Sequence, residues 1–231
     1  MSPLTSGHAH AVCVDQRRPL SGLLCLVLLM LFTCGVWHLT RGLTVWTFED
    51  WRQQQIAEGS LQAQEVSVKG FTPSWPWPHT RSDANARIYL VDFIYTRCPT
   101  VCRALGSEFQ QMQSALRAST EPSSKQVRMV SMSFDVAGDD VPVLNAYAAQ
   151  MHADPQWWQI GVPASQADAT ALLRSLGVVV IPDGQDGFVH NGAIHVLNAH
   201  GRLLGLYEPG QWREALNAAY RFARSAKGVA L

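Results

Sequence analysis

The segment from Leu20 to Leu39 restricts the fold more than any other part of the sequence, because its 20 residues include no Asp, Glu, Lys or Arg. As a helix that rises about 1.5 Å per residue, it is roughly 30 Å long, which matches the thickness of a bilayer core. The apolar stretch continues through Trp37 and His38 and lacks the small residues of a signal-peptide cleavage site. We therefore expect residues 20–40 to form an uncleaved transmembrane anchor.

The arginines that flank this segment bear on its orientation. Arg17 and Arg18 precede the anchor, and Arg41 and Arg52 follow it, so positive charge lies on both sides. The pair directly before the anchor favours a cytoplasmic amino-terminal tail, residues 1–19, under the positive-inside rule. The rest of the chain is then expected on the periplasmic or extracytoplasmic side of the cytoplasmic (inner) membrane.

The overall composition narrows the class of protein. Hydrophobic residues make up 47% of the chain, charged residues only 16%, and the formal net charge is zero. Such a chain is neither disordered nor suited to binding a polyanion, so we expect no nucleic acid partner. Three of its five cysteines, Cys13, Cys25 and Cys34, lie in or before the anchor and are expected to be incidental.

Residues 41–86 combine a short helical pattern with a proline-rich stretch. Thr47 precedes the helical pattern, acidic residues occupy its first turn, and Gly59 ends it. Farther on, prolines alternate with tryptophans, which excludes a regular helix; these residues are Pro73, Trp75, Pro76, Trp77 and Pro78. We expect a juxtamembrane helix followed by an extended Pro/Trp-rich linker.

Strand-like and helical patterns alternate from residue 87 to residue 231. Apolar runs predict strands at Ile88–Tyr95, Val127–Phe134, Trp157–Ile160, Gly192–Leu197 and Arg202–Tyr207. Helical spacing predicts helices at Pro99–Leu116, Val141–Met151, Ala164–Leu176 and Gln211–Ala226. This order predicts an α/β domain of the thioredoxin-like type, in which helices flank a mixed sheet.

The remaining cysteines, Cys98 and Cys102, lie where the first strand gives way to its helix. The partial positive charge of a helix amino terminus stabilises a thiolate there, which makes reactive sulfur plausible. Their spacing accommodates a disulfide and, with slightly less distortion, a shared metal ion. Two thiolates can bind monovalent copper, but they cannot by themselves complete a zinc or iron-sulfur site. A structural disulfide or a pair of inert buried thiols stays open at this point.

Four segments of the sequence, in family order, resemble the SCO/SenC family. VDFIYTRCPTVC resembles the stretch that supplies the two copper-binding cysteines of that family. SMSFD, which ends at Asp135, and DDVPVLNAYA resemble the segments that follow it. HNGAIHVLNAHGRL resembles the stretch that contains the family's copper-binding histidine. The resemblance implies a thioredoxin-like domain in which Cys98, Cys102 and His190 bind copper. In this fold class Asp135 ends a strand near the cysteine loop, so it either orients a ligand or is an ordinary strand-terminating carboxylate.

The histidines near this last motif have less definite roles. Asn191, His195, Asn198 and His200 depart from the residues that are usual in the family at these positions. We expect His195 to be a core or surface residue, and its use as an alternative ligand stays open. His79, His152 and His200 are expected to be ordinary polar surface residues.

The resemblance implies a membrane-anchored copper metallochaperone. Such a protein delivers copper to the dinuclear copper site of a haem-copper cytochrome oxidase, so its expected partners are the copper-bearing oxidase subunit, other copper carriers or thiol reductases. An alternative is a thiol-disulfide oxidoreductase that keeps the target's ligand cysteines reduced. The C-x-x-x-C spacing differs from the C-x-x-C of thioredoxins, so a general enzymatic activity is not expected. A copper- or redox-responsive sensor would use the same residues.

Overall fold

The computed structural model describes residues 18–40, 42–43, 46–71, 87–98 and 101–228. The described residues leave out Cys13, His79, Pro99, Thr100 and most of the predicted Pro/Trp-rich linker. The side chain of Cys102 also lies outside the description, although its backbone is helical. The chain divides into two compact units, residues 1–51 and residues 52–231.

The amino-terminal unit contains the predicted apolar helix. Helix α1 spans Arg18–Leu39, and Ser21–Leu39 is the one helix among the described residues that is long and apolar enough to cross a membrane. Helix α2, Phe48–Ala57, begins in this unit. At its start the Thr47 hydroxyl accepts a hydrogen bond from the Asp50 N–H, and the Asp50 carboxylate accepts one from the Thr47 N–H, at 3.0 Å each. This reciprocal pair explains why the helix begins where the sequence pattern predicts.

The larger unit is built on a six-stranded sheet in the order β1-β4-β3-β2-β7-β8, with a separate two-stranded ribbon of β5 and β6. The strands are β1 Val68–Lys69, β2 Ile88–Ile94, β3 Val127–Ser133, β4 Trp158–Pro163, β5 Val180–Pro182, β6 Phe188–His190, β7 Ile194–Asn198 and β8 Leu203–Tyr207. The remaining helices are α3 Val101–Ala118, α4 Val141–Gln150, α5 Gln166–Ser175 and α6 Trp212–Gly228, with a 3-10 turn at Pro122–Gln126. Strands β2, β3 and β4 run parallel, and the other pairs are antiparallel.

Helices cover both faces of this sheet. Helices α3 and α6 pack against the face that contains Trp158, whose ring lies 5.4 Å from that of Phe109 in α3. On the opposite face, Leu172 of α5 packs beside Phe93 and Met132. All seven residues of β2 are buried, which accounts for its nearly continuous apolar sequence. The predicted thioredoxin-like α/β arrangement of a mixed sheet flanked by helices is confirmed.

The structure differs from the predicted elements mainly around the short strands. Strand β4 is longer than predicted and ends at Pro163. The sequence patterns do not predict the β5–β6 ribbon, whose strands have three residues each. The turn between them is held by the Asp183 carboxylate, which accepts hydrogen bonds from the N–H groups of Gln185 at 2.7 Å and Gly187 at 2.9 Å. Strands this short carry too few residues to show a period of two.

Arg52 and His195 of β7 form a buried contact within the larger unit. Both side chains are only 1% exposed, and the Arg52 Nη2 lies 3.3 Å from the His195 Nε2. The His195 Nδ1 lies 3.2 Å from the Ala193 carbonyl oxygen, so a neutral ring donates there and accepts from Arg52. The Arg52 side chain also passes over Gly177, where an added Cβ would lie 3.2 Å from its Nε. Burial, and secondarily the Arg52 charge, lowers the pKa of His195 to about 3.

This shift makes the stability of the domain depend on pH. Below its ordinary pKa, His195 takes up a proton in the unfolded chain, whereas in the folded chain it stays neutral until the pH approaches 3. As the pH falls from about 6 to about 4, the free energy of unfolding of the wild type should decrease with each pH unit. We expect this decrease to be larger than that of His195→Gln by up to roughly 1.4 kcal/mol per unit. Denaturant unfolding of the full chain in detergent measures this difference. His200→Gln, at an exposed position, is the control, and equal slopes in wild type and H195Q would contradict the prediction.

Candidate metal centre

Cys98 lies in the turn that follows β2. Its N–H donates a hydrogen bond to the Tyr95 carbonyl oxygen at 3.1 Å, and its half-buried side chain packs against the edge of the hydrophobic core. Helix α3 begins three residues later at Val101 and includes Cys102 in its first turn. Both cysteines therefore occupy the strand-to-helix junction that the sequence predicted, where the helix amino terminus favours a thiolate.

A buried carboxylate fixes the backbone of this turn. Asp139 is fully buried and accepts hydrogen bonds from the Thr96 N–H at 2.9 Å, the Thr96 hydroxyl at 2.6 Å and the Ser133 hydroxyl at 2.6 Å. The next residue, Asp140, caps helix α4 by accepting from the Val143 N–H. Sequence reasoning noted this acidic segment but did not assign Asp139 to the site. The sequence contained a signal for this role, because Asp139 and Asp140 are adjacent and a single aspartate is enough to cap the helix. The second aspartate is therefore available for another contact.

Asp135 is tied to the residue directly before Cys98. Its carboxylate accepts from the Arg97 guanidinium at 2.8 Å and from the Gly138 N–H at 3.0 Å. Asp135 is only 5% exposed, and its hydrogen bond raises the pKa of Arg97. The ion pair links the turn after β3 to the cysteine turn. An action of Asp135 on a metal ligand stays a prediction.

His190 ends strand β6 and lies against an aromatic cluster formed by Tyr95, Phe134 and Phe188. The His190 ring centroid is 5.2 Å from that of Phe134, and the three rings of the cluster lie 5.2 to 5.5 Å apart. The half-buried imidazole has its pKa lowered by burial. At neutral pH the ring is therefore uncharged, which is the form that binds a metal ion.

Tyr95 connects the histidine to the cysteine turn. Its hydroxyl accepts a hydrogen bond from the Phe188 N–H at 3.3 Å and donates one to the Phe188 carbonyl oxygen at 3.4 Å. Through its own carbonyl the same residue accepts from Cys98. These bonds are long, but they place the β6 strand beside the end of β2. The structure therefore brings the segments of Cys98 and His190 together, although they are 92 residues apart in the sequence.

The family of the chain follows from its match to known proteins. The SCO1/SenC family model matches residues 77–223, which include both cysteines and His190. The chain belongs to the SCO1/SenC family. The resemblance seen in the sequence motifs is thereby confirmed.

Related proteins have the same overall fold. The SCO1 protein homolog of Bacillus subtilis is 27% identical over 122 residues, 52% of this chain and 61% of that protein. A structure of the Sco protein BsSco, described as a member of the Sco family of cytochrome c oxidase assembly proteins with a disulfide switch, is 21% identical with a TM-score of 0.52; the match covers 61% of this chain and 82% of that chain. Copper-bound Arabidopsis thaliana ScoI is 16% identical with a TM-score of 0.52, over 61% and 85% of the two chains.

These likenesses define the fold. The solved structures are too distant in sequence to show more, and this SCO1/SenC chain spans about three fifths of the length of the curated relatives it matches. Among the residues whose side chains are described, no three His, Cys, Asp or Glu side chains converge as a metal site. Because that group leaves out the side chain of Cys102, the set of Cys98, Cys102 and His190 stays a prediction.

The other histidines of this SCO1/SenC protein lie elsewhere. Both ring nitrogens of His195 are engaged, with Arg52 and Ala193, and the ring is buried in the sheet. This environment argues for the core role and against its use as an alternative ligand. His152 and His200 are exposed, as expected for surface residues.

The Tyr95 hydroxyl can be tested by removing it. Tyr95→Phe keeps the aromatic cluster but deletes both hydrogen bonds to Phe188, so we expect a loss of about 1 kcal/mol in the local stability of the β5–β6 ribbon. Amide hydrogen exchange of residues 188–190 should then be roughly 5-fold faster. Tyr207→Phe, which alters a tyrosine of β8, should leave exchange in the ribbon unchanged. Unchanged exchange in Y95F would show that the hydroxyl does not hold the ribbon.

Proposed function

We propose that this SCO1/SenC protein is a membrane-anchored copper chaperone that delivers copper to the dinuclear copper site of a haem-copper cytochrome oxidase. The observation that carries the proposal is the position of His190: its neutral imidazole rests on the aromatic cluster that Tyr95 ties to the Cys98 turn. A cysteine pair alone serves many redox proteins, but a histidine held beside it completes a set of ligands suited to copper.

The proposed ligands fit copper as a cargo. Cys98 and Cys102 supply thiolates at a helix amino terminus, and His190 supplies an imidazole nitrogen. Thiolate and imidazole donors suit monovalent copper, whereas a four-coordinate structural zinc site would need one more protein ligand. The proposed ligands lie in the turn after β2, in the first turn of α3 and at the end of the short strand β6, so the partner's ligands can replace them one at a time.

The anchor and the proposed location belong to the same proposal. Helix α1 is long and apolar enough to cross a bilayer, and the arginines before it favour a cytoplasmic tail. The copper-binding domain would then lie on the periplasmic or extracytoplasmic side of the inner membrane, where the copper-bearing oxidase subunit, other copper carriers and thiol reductases are its proposed partners. BsSco is a member of the Sco family of cytochrome c oxidase assembly proteins, which supports this choice of partner.

Copper titration of the full chain in detergent tests the ligand set. We expect one copper ion per chain in the wild type. Loss of a residue that only supports a metal ligand typically weakens metal affinity roughly 10- to 100-fold. We expect a larger loss of copper affinity in each of three ligand variants: Cys98→Ser, Cys102→Ser and His190→Ala. Because the ligands must lose protons to bind, affinity should fall as the pH is lowered.

The matched control for this titration is His200→Ala, which removes an exposed histidine from the turn between β7 and β8. It should bind copper as the wild type does. If the wild type binds no copper in stoichiometric amount, the chaperone proposal fails. If only His190→Ala behaves like the wild type, the histidine is not a ligand and the cysteines act without it.

A thiol-disulfide oxidoreductase is the second candidate, favoured by the cysteine pair at the helix amino terminus. BsSco has been described with a disulfide switch. That switch is a property of BsSco, and it is consistent with a redox-active disulfide on this fold. Thiol exchange with a peptide that contains two cysteines would distinguish the candidates. An oxidoreductase should reduce the peptide's disulfide and should retain that activity in His190→Ala, whereas the copper chaperone should lose copper affinity in the same variant.

A further inference from the structure

Strand β5 has one edge without a partner strand. Within the described part of the chain it pairs with β6 alone, in a register that sets Val180 opposite His190 and Pro182 opposite Phe188. An edge of this kind presents main-chain N–H and C=O groups that a further extended segment can bind. The β5–β6 ribbon is therefore able to accept a third strand.

The hydrogen bonds of the ribbon show which main-chain groups face this edge. The Asp183 N–H donates to the Gly187 carbonyl oxygen at 3.0 Å, and the Asn191 N–H donates to the Val179 carbonyl oxygen at 3.3 Å. Because hydrogen-bonded pairs alternate with non-bonded pairs in an antiparallel ladder, Val180 is at a non-bonded position. Its N–H and C=O therefore point away from β6.

The two edges of the ribbon differ. On β6, the main chain of Phe188 is engaged by the Tyr95 hydroxyl. On β5, Pro182 has no N–H, and a proline within a sheet is typical of an edge strand. The open edge of β5 therefore offers the N–H and C=O of Val180 and the C=O of Pro182.

A groove lies between this open edge and helix α5. Its volume is about 500 Å³, within the range of roughly 300 to 1,000 Å³ that is usual for ligand pockets. Its lining is mostly apolar and comes from the aromatic cluster, from α5 and from β5; the residues include Phe134, Phe188, Thr170, Leu173, Val180 and Pro182. An extended segment beside β5 places every second side chain over this lining.

The charges at the two ends of the groove have opposite signs. Arg174 lines the groove from the last turn of α5, shortly before the chain enters β5, and it is exposed. At the other end, the turn after β5 contains the exposed residues Asp183 and Asp186. A segment with an acidic residue near Arg174 and a basic residue near the turn is complementary to both ends.

The groove adjoins the candidate metal centre. It reaches Asp135, whose carboxylate binds Arg97 next to Cys98. Neighbouring strands are about 4.8 Å apart, so a segment paired with β5 at Val180 lies about 10 Å from the main chain of His190. A protein that binds at the open edge of β5 therefore has its adjacent residues close to the proposed ligands.

We propose that the copper-bearing oxidase subunit docks by adding an extended segment to the open edge of β5, as a third strand of the ribbon. The segment is apolar at alternate positions, with an acidic residue toward Arg174 and a basic residue toward Asp186. Main-chain hydrogen bonds to Val180 set its register, and the groove selects its side chains. The identity of the partner rests on the proposed function, whereas the pairing at β5 does not.

Binding of synthetic peptides to the full chain in detergent tests the strand pairing. The probes are fluorescein-labelled DVTVTVK and KVTVTVD, which present the two charges in either strand direction, and a copy of each that is N-methylated at its inner residues. Fluorescence anisotropy measures their affinity. We expect one unmodified peptide to bind, and its N-methylated copy, which keeps the side chains but lacks main-chain donors, to bind at least roughly 10-fold more weakly.

A substitution on the open edge of β5 tests the same hydrogen bonds from the protein side. Val180→Pro removes the outward N–H but keeps an apolar side chain, so the peptide's affinity should fall at least roughly 5-fold. Ile181→Thr is the matched control, because Ile181 is 57% exposed on the other face of the ribbon, and it should bind the peptide as the wild type does.

Two results with the wild type would overturn the proposal: equal affinity for the unmodified and N-methylated peptides, or no binding of either unmodified peptide. Both measurements use the unsubstituted protein, so they decide the matter even if Val180→Pro does not fold. Sedimentation in detergent distinguishes the proposed occupant from a second copy of the chain. We expect a monomer, and a wild-type dimer that Val180→Pro dissociates would overturn the proposal.

Copper transfer to the purified copper-bearing oxidase subunit tests the choice of partner. Val180→Pro should bind one copper ion, as the wild type does, but should transfer it more slowly, by a factor similar to its loss of peptide affinity. Equal transfer rates would overturn the choice of partner. If the wild type binds the peptide but no copper, the chaperone proposal fails while the strand pairing at β5 stands.

Discussion

The parallel pairing of β2 with β3 is the interaction on which the rest of the site depends. Ile88–Ile94 lies in register with Val127–Ser133 over all seven residues, and both strands therefore end at the same edge of the sheet. The turn with Cys98 and the turn with Asp135 emerge side by side because of this register. Thr96, Arg97 and their two aspartate partners can then hydrogen bond across a short gap, and no long loop is needed to form the site.

Sequence patterns were sufficient for the long elements and insufficient for the short ones. The strand β2 could be predicted from its nearly continuous apolar run, and the helix α3 from the helical spacing of its apolar residues. The ribbon of β5 and β6 could not, since three residues per strand show no period, and its position depends on Tyr95. The hydroxyl of Tyr95 hydrogen bonds to Phe188, which lies 93 residues away in the sequence. A local sequence pattern cannot predict a partner at that separation.

The burial of certain polar side chains also could not be predicted from the sequence. Arg52 occurs in a short helix of polar composition, yet its side chain is buried between Gly177 and His195. Asp92 interrupts the apolar run of β2 and is fully buried with it. In both cases the unfavourable burial of a polar group is visible only when the packing around it is known. The candidate ligands, in contrast, could be proposed from the sequence, because the motif of the cysteines is local and His190 follows a family pattern; their role as ligands stays a prediction.

The way in which Tyr95 holds the ribbon affects how the surface can evolve. Its hydroxyl contacts the main chain of Phe188 and not a side chain, so the tie does not depend on which residues the ribbon presents outward. Ile181 and Val189, both exposed on the ribbon, can drift under selection without displacing the histidine. Related proteins could therefore acquire different partner preferences at this rim while keeping the same chemistry behind it.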